Sequence, residues 1–242
     1  MATNSTSLIQ ILDGLEAHYG MQSVWWPTDP YEFLLWWHCG YPQSDDRCAK
    51  GWTALTANMS IAPQRILAAD PVAIASALKL GGMVPELRAF RLKEIAMRVQ
   101  DELEGDLLRA LRRSPTEARN LLKRFPNISD PGADRILLFA AIMPIAAVPS
   151  NNVNVIIRLL YGRERENYRV NYRESQQAIE QEIAADVQAR QRAYLLLKRH
   201  GQQLCKRTNP KCGQCPLRAN CAYFSGKLRG RSAYSATPGS RR

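Results

Sequence analysis

Four cysteines, Cys205, Cys212, Cys215 and Cys221, stand within seventeen residues at spacing C-x6-C-x2-C-x5-C. Each intervening loop is long enough to turn and short enough to stay ordered, so four thiolates can close around one centre. In a reducing compartment such crowding argues for metal rather than disulfides. Zinc and an iron–sulfur cluster both suit such a site. Zinc sites usually pair two C-x2-C knuckles and only one is present, but spacing alone does not decide. Cys39 and Cys48 lie outside this pattern. Cys39 ends the apolar run FLLWWHC and is expected in the core; neither cysteine is assigned a ligand role.

The chain has 242 residues, a net charge of +11 and a pI near 9.6. That balance favours an anionic partner, nucleic acid first and an anionic membrane surface second. No apolar run approaches the ~20 residues that cross a bilayer. The opening MATNSTSLIQILDGLEAHYG has no basic stretch ahead of its apolar part, so it is not read as a secretory signal. An intracellular, cytoplasmic and nucleoid-associated location is expected. Residues 226–242, GKLRGRSAYSATPGSRR, carry five bases, no acid and little apolar content; a disordered basic tail is expected.

Helical periodicity dominates. LLKRF (121–125), DRILLFAAI (134–142), NVIIRLL (154–160) and QRAYLLLKRH (191–200) carry apolar residues three and four apart. Alternating strand patterns are nearly absent, so the fold class is all-α. Pro and Gly cut the chain into short helices. Ser114-Pro115-Thr116-Glu117 is a capping box with Pro at the first helical position, and the helix it starts is expected to reach about Arg124. Asp130-Pro131 reads as N-cap and first residue of the next helix. Pro126-Asn127-Ile128-Ser129 lies between them as a tight turn. Helix, turn, helix is a hairpin whose turn amides and second helix N-terminus can hold a phosphate oxygen. His38, in an apolar run, is expected as a satisfied core residue, and the five tryptophans as core packing.

The run HGQQLCKRTNPKCGQCPLRANC, residues 200–221, resembles the cluster-binding end of the endonuclease III and adenine glycosylase family, within the helix-hairpin-helix DNA glycosylases. His200-Gly201 and the 6-2-5 cysteine gaps match. The resemblance implies a [4Fe-4S] cluster on Cys205, Cys212, Cys215 and Cys221. It also implies that the loop carrying Lys206, Arg207 and Lys211 faces DNA phosphate. Phe125 to Ala133 aligns with the family hairpin without a gap, placing Asn127, Ile128, Ser129 and Gly132 at the DNA. Asn127 and Ser129 replace the two family glycines; Asn tolerates positive φ well, Ser less so. PYEFLLWWHCGYPQSDD and Gly81-Gly82-Met83 resemble the family's first barrel helix and its Gly-Leu-Tyr segment. Pro42 falls where the family tends to carry a Gln that enters the base stack, with Tyr41 and Gln43 beside it as candidate wedges. The likeness covers roughly residues 28–224. It implies two lobes: a helical barrel over 31–144 ending in the hairpin (about 115–142), and a cluster lobe of 1–30 with 145–225, with DNA across the cleft. A monomer on double-stranded DNA is expected.

The family's catalytic residues are missing. Its Schiff-base Lys falls on Pro131, and its Asp, which stabilises charge developing on the sugar, falls on Ser150. Asp134 and Asp45 are weak substitutes. Two functions remain: a monofunctional glycosylase acting on a damaged or modified base, or a catalytically inactive DNA-binding protein that kept the scaffold. A prolyl nitrogen tied into the backbone offers no amine to C1′ of an abasic site. Borohydride treatment with abasic DNA should therefore trap no covalent complex. A trapped adduct that Lys123→Ala abolishes would show the alignment over 125–133 to be wrong.

Overall fold

A computed structural model describes residues 7–226; most of the basic tail, from residue 227 on, lies outside them. The described residues contain no strand. Among the described residues twelve α-helices run in chain order: α1 Leu8–Tyr19, α2 Pro30–His38, α3 Asp45–Asn58, α4 Pro63–Ala68, α5 Pro71–Ala77, α6 Pro85–Met97, α7 Leu107–Ala110, α8 Pro115–Leu122, α9 Asp130–Phe139, the short α10 Asn154–Ile156, α11 Tyr168–Glu182 and α12 Val187–Gln203. None is long and apolar enough to cross a membrane. Local chemistry starts many of them. Ser7 and Ser114 form complete capping boxes with Gln10 and Glu117. Asp29, Asp70, Asn167 and Asp186 accept first-turn amides of α2, α5, α11 and α12.

The chain divides into two compact units, Trp25–Met143 and Met1–Val24 with Pro144–Arg242. In the continuous unit, Phe33, Leu34, Trp36, Leu55, Ile74, Leu92 and Leu137 are buried. Trp26 belongs to this core, its ring 5.1 Å from that of Phe139 on α9. In the other unit α1, α11 and α12 bury Leu8, Leu12, Ile179, Leu196 and Leu197 together with Val155 and Ile156. Gly201 is required there, because a Cβ would lie 2.3 Å from Asn152 Nδ2.

The hairpin forms much as its sequence indicates, with two corrections. The helix begun by the capping box ends at Leu122, short of Arg124. The second helix begins at Asp130, so Ser129 rather than Asp130 occupies the cap position, and its side chain makes no capping bond. The Asp130 carboxylate instead pairs with Lys123 Nζ at 2.9 Å. An ion-pair partner just past the end of the preceding helix draws the side chain away from the amides it would have capped.

His38 anchors this turn from below. Fully buried on α2, it places Nδ1 2.8 Å from the Leu34 carbonyl and Nε2 2.9 Å from the Pro126 carbonyl. Burial pushes its pKa down to about 4, against both carbonyls, which pull upward. His38→Ala removes the bridge from α2 to the turn and leaves a cavity. It should cost about 3 kcal/mol of stability in urea unfolding.

Candidate functional site

Asn127 sits at φ +55°. Asn populates this left-handed region far more readily than most residues, which explains how the turn survives without its first glycine. Ser129 is extended, at φ −109° and ψ 179°, so it needs no glycine. The N–H groups of Asn127, Ser129 and Gly132 make no hydrogen bond among the described residues, whereas Ile128 N–H donates to Phe125 O. Asn127 and Ser129 are exposed. The Ile128 side chain is buried and packs near Gly132, which makes it an anchor beneath the turn. Free amides in the turn and in the first turn of the ten-residue α9 are donors suited to an anionic oxygen. Pro131 lies in this first turn with no amine to offer.

The other carboxylates are committed elsewhere. Asp134 is buried, and its Oδ1 lies 2.5 Å from Arg119 Nε. Asp45 Oδ2 lies 3.1 Å from Arg135 Nη2. Both are spent holding α9, to α8 and to the start of α3 respectively. Ser150 opens a short 3-10 turn, and its carbonyl accepts from Tyr168 Oη at 3.3 Å.

Tyr41 stacks on Trp37, centroids 5.1 Å apart, and the exposed Gln43 follows it. A Cβ on Gly82 would lie 3.2 Å from Gln43 Cγ, so the 41–43 and 81–84 turns are neighbours. Beside Gln43, Met83 and Val84 expose apolar side chains, continued on α6 by Leu87 and Phe90. Val84 adopts φ +54°. A β-branched residue there is strained, a condition found mostly at functional turns. Gly81-Gly82-Met83, similar in sequence to the family's Gly-Leu-Tyr segment, opens this exposed apolar turn.

Cys205, Cys212, Cys215 and Cys221 line one small cavity of about 20 Å³. Among the described residues no three His, Cys, Asp or Glu side chains converge as they would on a single metal ion. Arg158, buried, binds the loop. Its guanidinium donates to the carbonyls of Lys206 (2.8 Å) and Arg207 (2.9 Å), pairs with Glu164 at 2.7 Å, and approaches Cys205 Sγ at 4.0 Å. Asn154 Nδ2 donates to Cys205 O at 3.0 Å. Burial pushes the Cys205 thiol up to about 11, while Arg158 pulls it down. Burial likewise raises Cys215 and Cys221. His200 is fully buried, with Nε2 3.7 Å from Cys215 Sγ and Nδ1 3.0 Å from Tyr19 Oη. Lys206, Arg207 and Lys211 are exposed around this cavity. Cys39 and Cys48 are buried in the other unit.

This all-α architecture with its hairpin is the fold of the helix-hairpin-helix DNA glycosylases. A thermostable thymine-DNA glycosylase superposes with TM-score 0.71 at 18% identity, over 90% of this chain and 97% of that one. Endonuclease III in a non-covalent DNA complex gives 0.71 at 18%, over 93% and 99%. The H. pylori 3-methyladenine DNA glycosylase MagIII, bound to 1,N6-ethenoadenine, gives 0.55 at 18%, over 96% and 100%. No family model and no curated protein sequence matches the chain.

The Asp130 carboxylate sits at the amide cluster that would hold a phosphate. Asp130→Asn removes a negative charge there and frees Lys123. Duplex affinity should rise roughly two- to threefold, about 0.5 kcal/mol, in fluorescence-anisotropy titrations at low salt.

Proposed function

We propose that this protein binds double-stranded DNA and excises a damaged or modified base as a monofunctional glycosylase. The observation that carries the reading is the hairpin, where Asn127 turns left-handed and the N–H groups of Asn127, Ser129 and Gly132 have no partner among the described residues. That donor set grips a phosphate without reading sequence. Lys206, Arg207 and Lys211 add counterion-releasing contacts. Tyr41, Gln43 and the apolar Met83–Val84 turn supply a wedge for the gap left by a flipped nucleotide.

The lyase step is absent, because Pro131 has no amine. The missing carboxylate at Ser150 narrows the substrate. A neutral base leaves the sugar only if the oxocarbenium-like charge is stabilised or the base is protonated. An alkylated purine already carrying positive charge needs neither as strongly. We therefore place the substrate among alkylated bases, the class named for the MagIII neighbour.

The cysteine centre fits a [4Fe-4S] cluster. Cys205, Cys212, Cys215 and Cys221 line one cavity, and their 6-2-5 gaps are those the resemblance ties to the cluster. The buried Nε of Arg158 is an N–H without a partner beside that cavity. When bound, such a cluster ties four thiolates together and brings its own one-electron chemistry. Arg158 and Asn154 hold the loop backbone around it.

A second reading has its own observation. Asp134 and Asp45 are both consumed in ion pairs, which suits a protein that binds DNA without cutting the glycosidic bond. Duplexes carrying a single 3-methyladenine, 1,N6-ethenoadenine or mismatched thymine, followed by hot alkali, separate the two. Strand breaks are expected on alkylated substrates and only after alkali. Tight duplex binding with no breaks on any substrate would establish the binding-only protein.

A further inference from the structure

We propose that Tyr19 and His200 form a hydrogen-bonded relay ending on Cys215 Sγ that raises the reduction potential of a cluster at the four cysteines. The inference rests on the cluster reading above. His200 lies on α12, five residues ahead of Cys205, and Tyr19 is the last residue of α1. The imidazole is fully buried, with one nitrogen on the phenol at 3.0 Å and the other facing Cys215 at 3.7 Å.

The donors and acceptors fit in one arrangement. A neutral imidazole carries one N–H and one lone pair. A ligating thiolate offers only lone pairs, so Nε2 must bear the hydrogen. Nδ1 is then an acceptor, and the Tyr19 hydroxyl, which has no other partner among the described residues, donates to it. The opposite tautomer turns a nitrogen lone pair onto the thiolate and leaves the phenol hydrogen unused. Tyr19 therefore selects the tautomer, and His200 delivers the N–H to sulfur, the role outer-shell partners play at metal-bound histidines.

The four sulfurs are thereby made unequal. Cys215 faces the His200 nitrogen at 3.7 Å, and Cys205 is approached by Asn154 Nδ2 and Arg158 Nη1 at 4.0 Å. Backbone N–H groups add to these, from Leu217 at Cys215 and from Tyr223 and Phe224 at Cys221, so the His200 side chain is what sets Cys215 apart from Cys221, whose Sγ lies 3.8 Å from the Arg158 carbonyl. An N–H directed at a thiolate withdraws electron density and stabilises the more negative, reduced cluster, which raises the potential.

The full chain is purified anaerobically, and iron, sulfide and visible absorption are measured first. Roughly four irons per chain are expected. Iron-free wild-type protein overturns the cluster reading itself. With iron present, film voltammetry compares the wild type with Tyr19→Phe and His200→Phe. Both variants should shift to a more negative potential, His200→Phe further, and Tyr19→Phe should lose the Nε2–H signature of His200 in 15N spectra of the oxidised protein. Should His200→Phe fail to fold, Tyr19→Phe decides alone, since it deletes a single oxygen. A cluster-loaded Tyr19→Phe with wild-type potential and unchanged tautomer overturns the relay and leaves the cluster reading standing.

Discussion

The guanidinium of Arg135 is buried on α9, 4.1 Å from the Trp26 ring centroid and within 6 Å of Phe33, Trp36 and Trp37, while Asp45 holds it at 3.1 Å. A lone buried cation would cost several kcal/mol. A carboxylate and four aromatic faces offset that cost together. The same group thus fastens the hairpin's second helix to α2 and to the start of α3. It accounts for the tryptophan clusters: three of the five tryptophans, Trp26, Trp36 and Trp37, contribute ring faces to one cation. The amides at the start of α9 can be presented in one place because the rest of that helix cannot shift.

The second unit repeats the device with Arg158. Its guanidinium satisfies two loop carbonyls and Glu164, lies 5.0 Å from the Tyr223 ring, and approaches Cys205. Lys206 and Arg207 point outward partly because their carbonyls are held inward. The basic loop and the cysteine centre are therefore two faces of one folded segment. A change that loosens Arg158 disturbs both.

The scaffold's donors are present while its acids are redirected. Asp134 and Asp45 have become structural, each paired with an arginine, and Ser150 presents a carbonyl to Tyr168 rather than a carboxylate to a sugar. In the proposed reading, such a site would grip phosphate and leave the bond-breaking step to the chemistry of the base.

Some features were legible because their physics is local. The Ser114–Glu117 capping box closes over three residues, Asn127 needs only its own backbone preference to turn left-handed, and the cysteine spacing bounds its own loop. The cap of α9 differs from the expectation because Lys123 draws Asp130 away, and a side-chain preference cannot reveal a partner beyond the turn. The Asp45–Arg135 pair spans 90 residues and the Tyr19–His200 contact 181. No periodicity or motif encodes such pairings, since they exist only once two elements have packed. The exposure of Met83 and Val84 was not legible for the complementary reason: whether an apolar residue finds a neighbour is decided only by the fold. By itself the sequence determined an all-α chain with a hairpin and a four-cysteine loop, because propensity, capping and spacing act within a few residues. Only the tertiary structure decided which acids are spent in ion pairs and which imidazole meets which sulfur, because those choices depend on side chains brought together by packing.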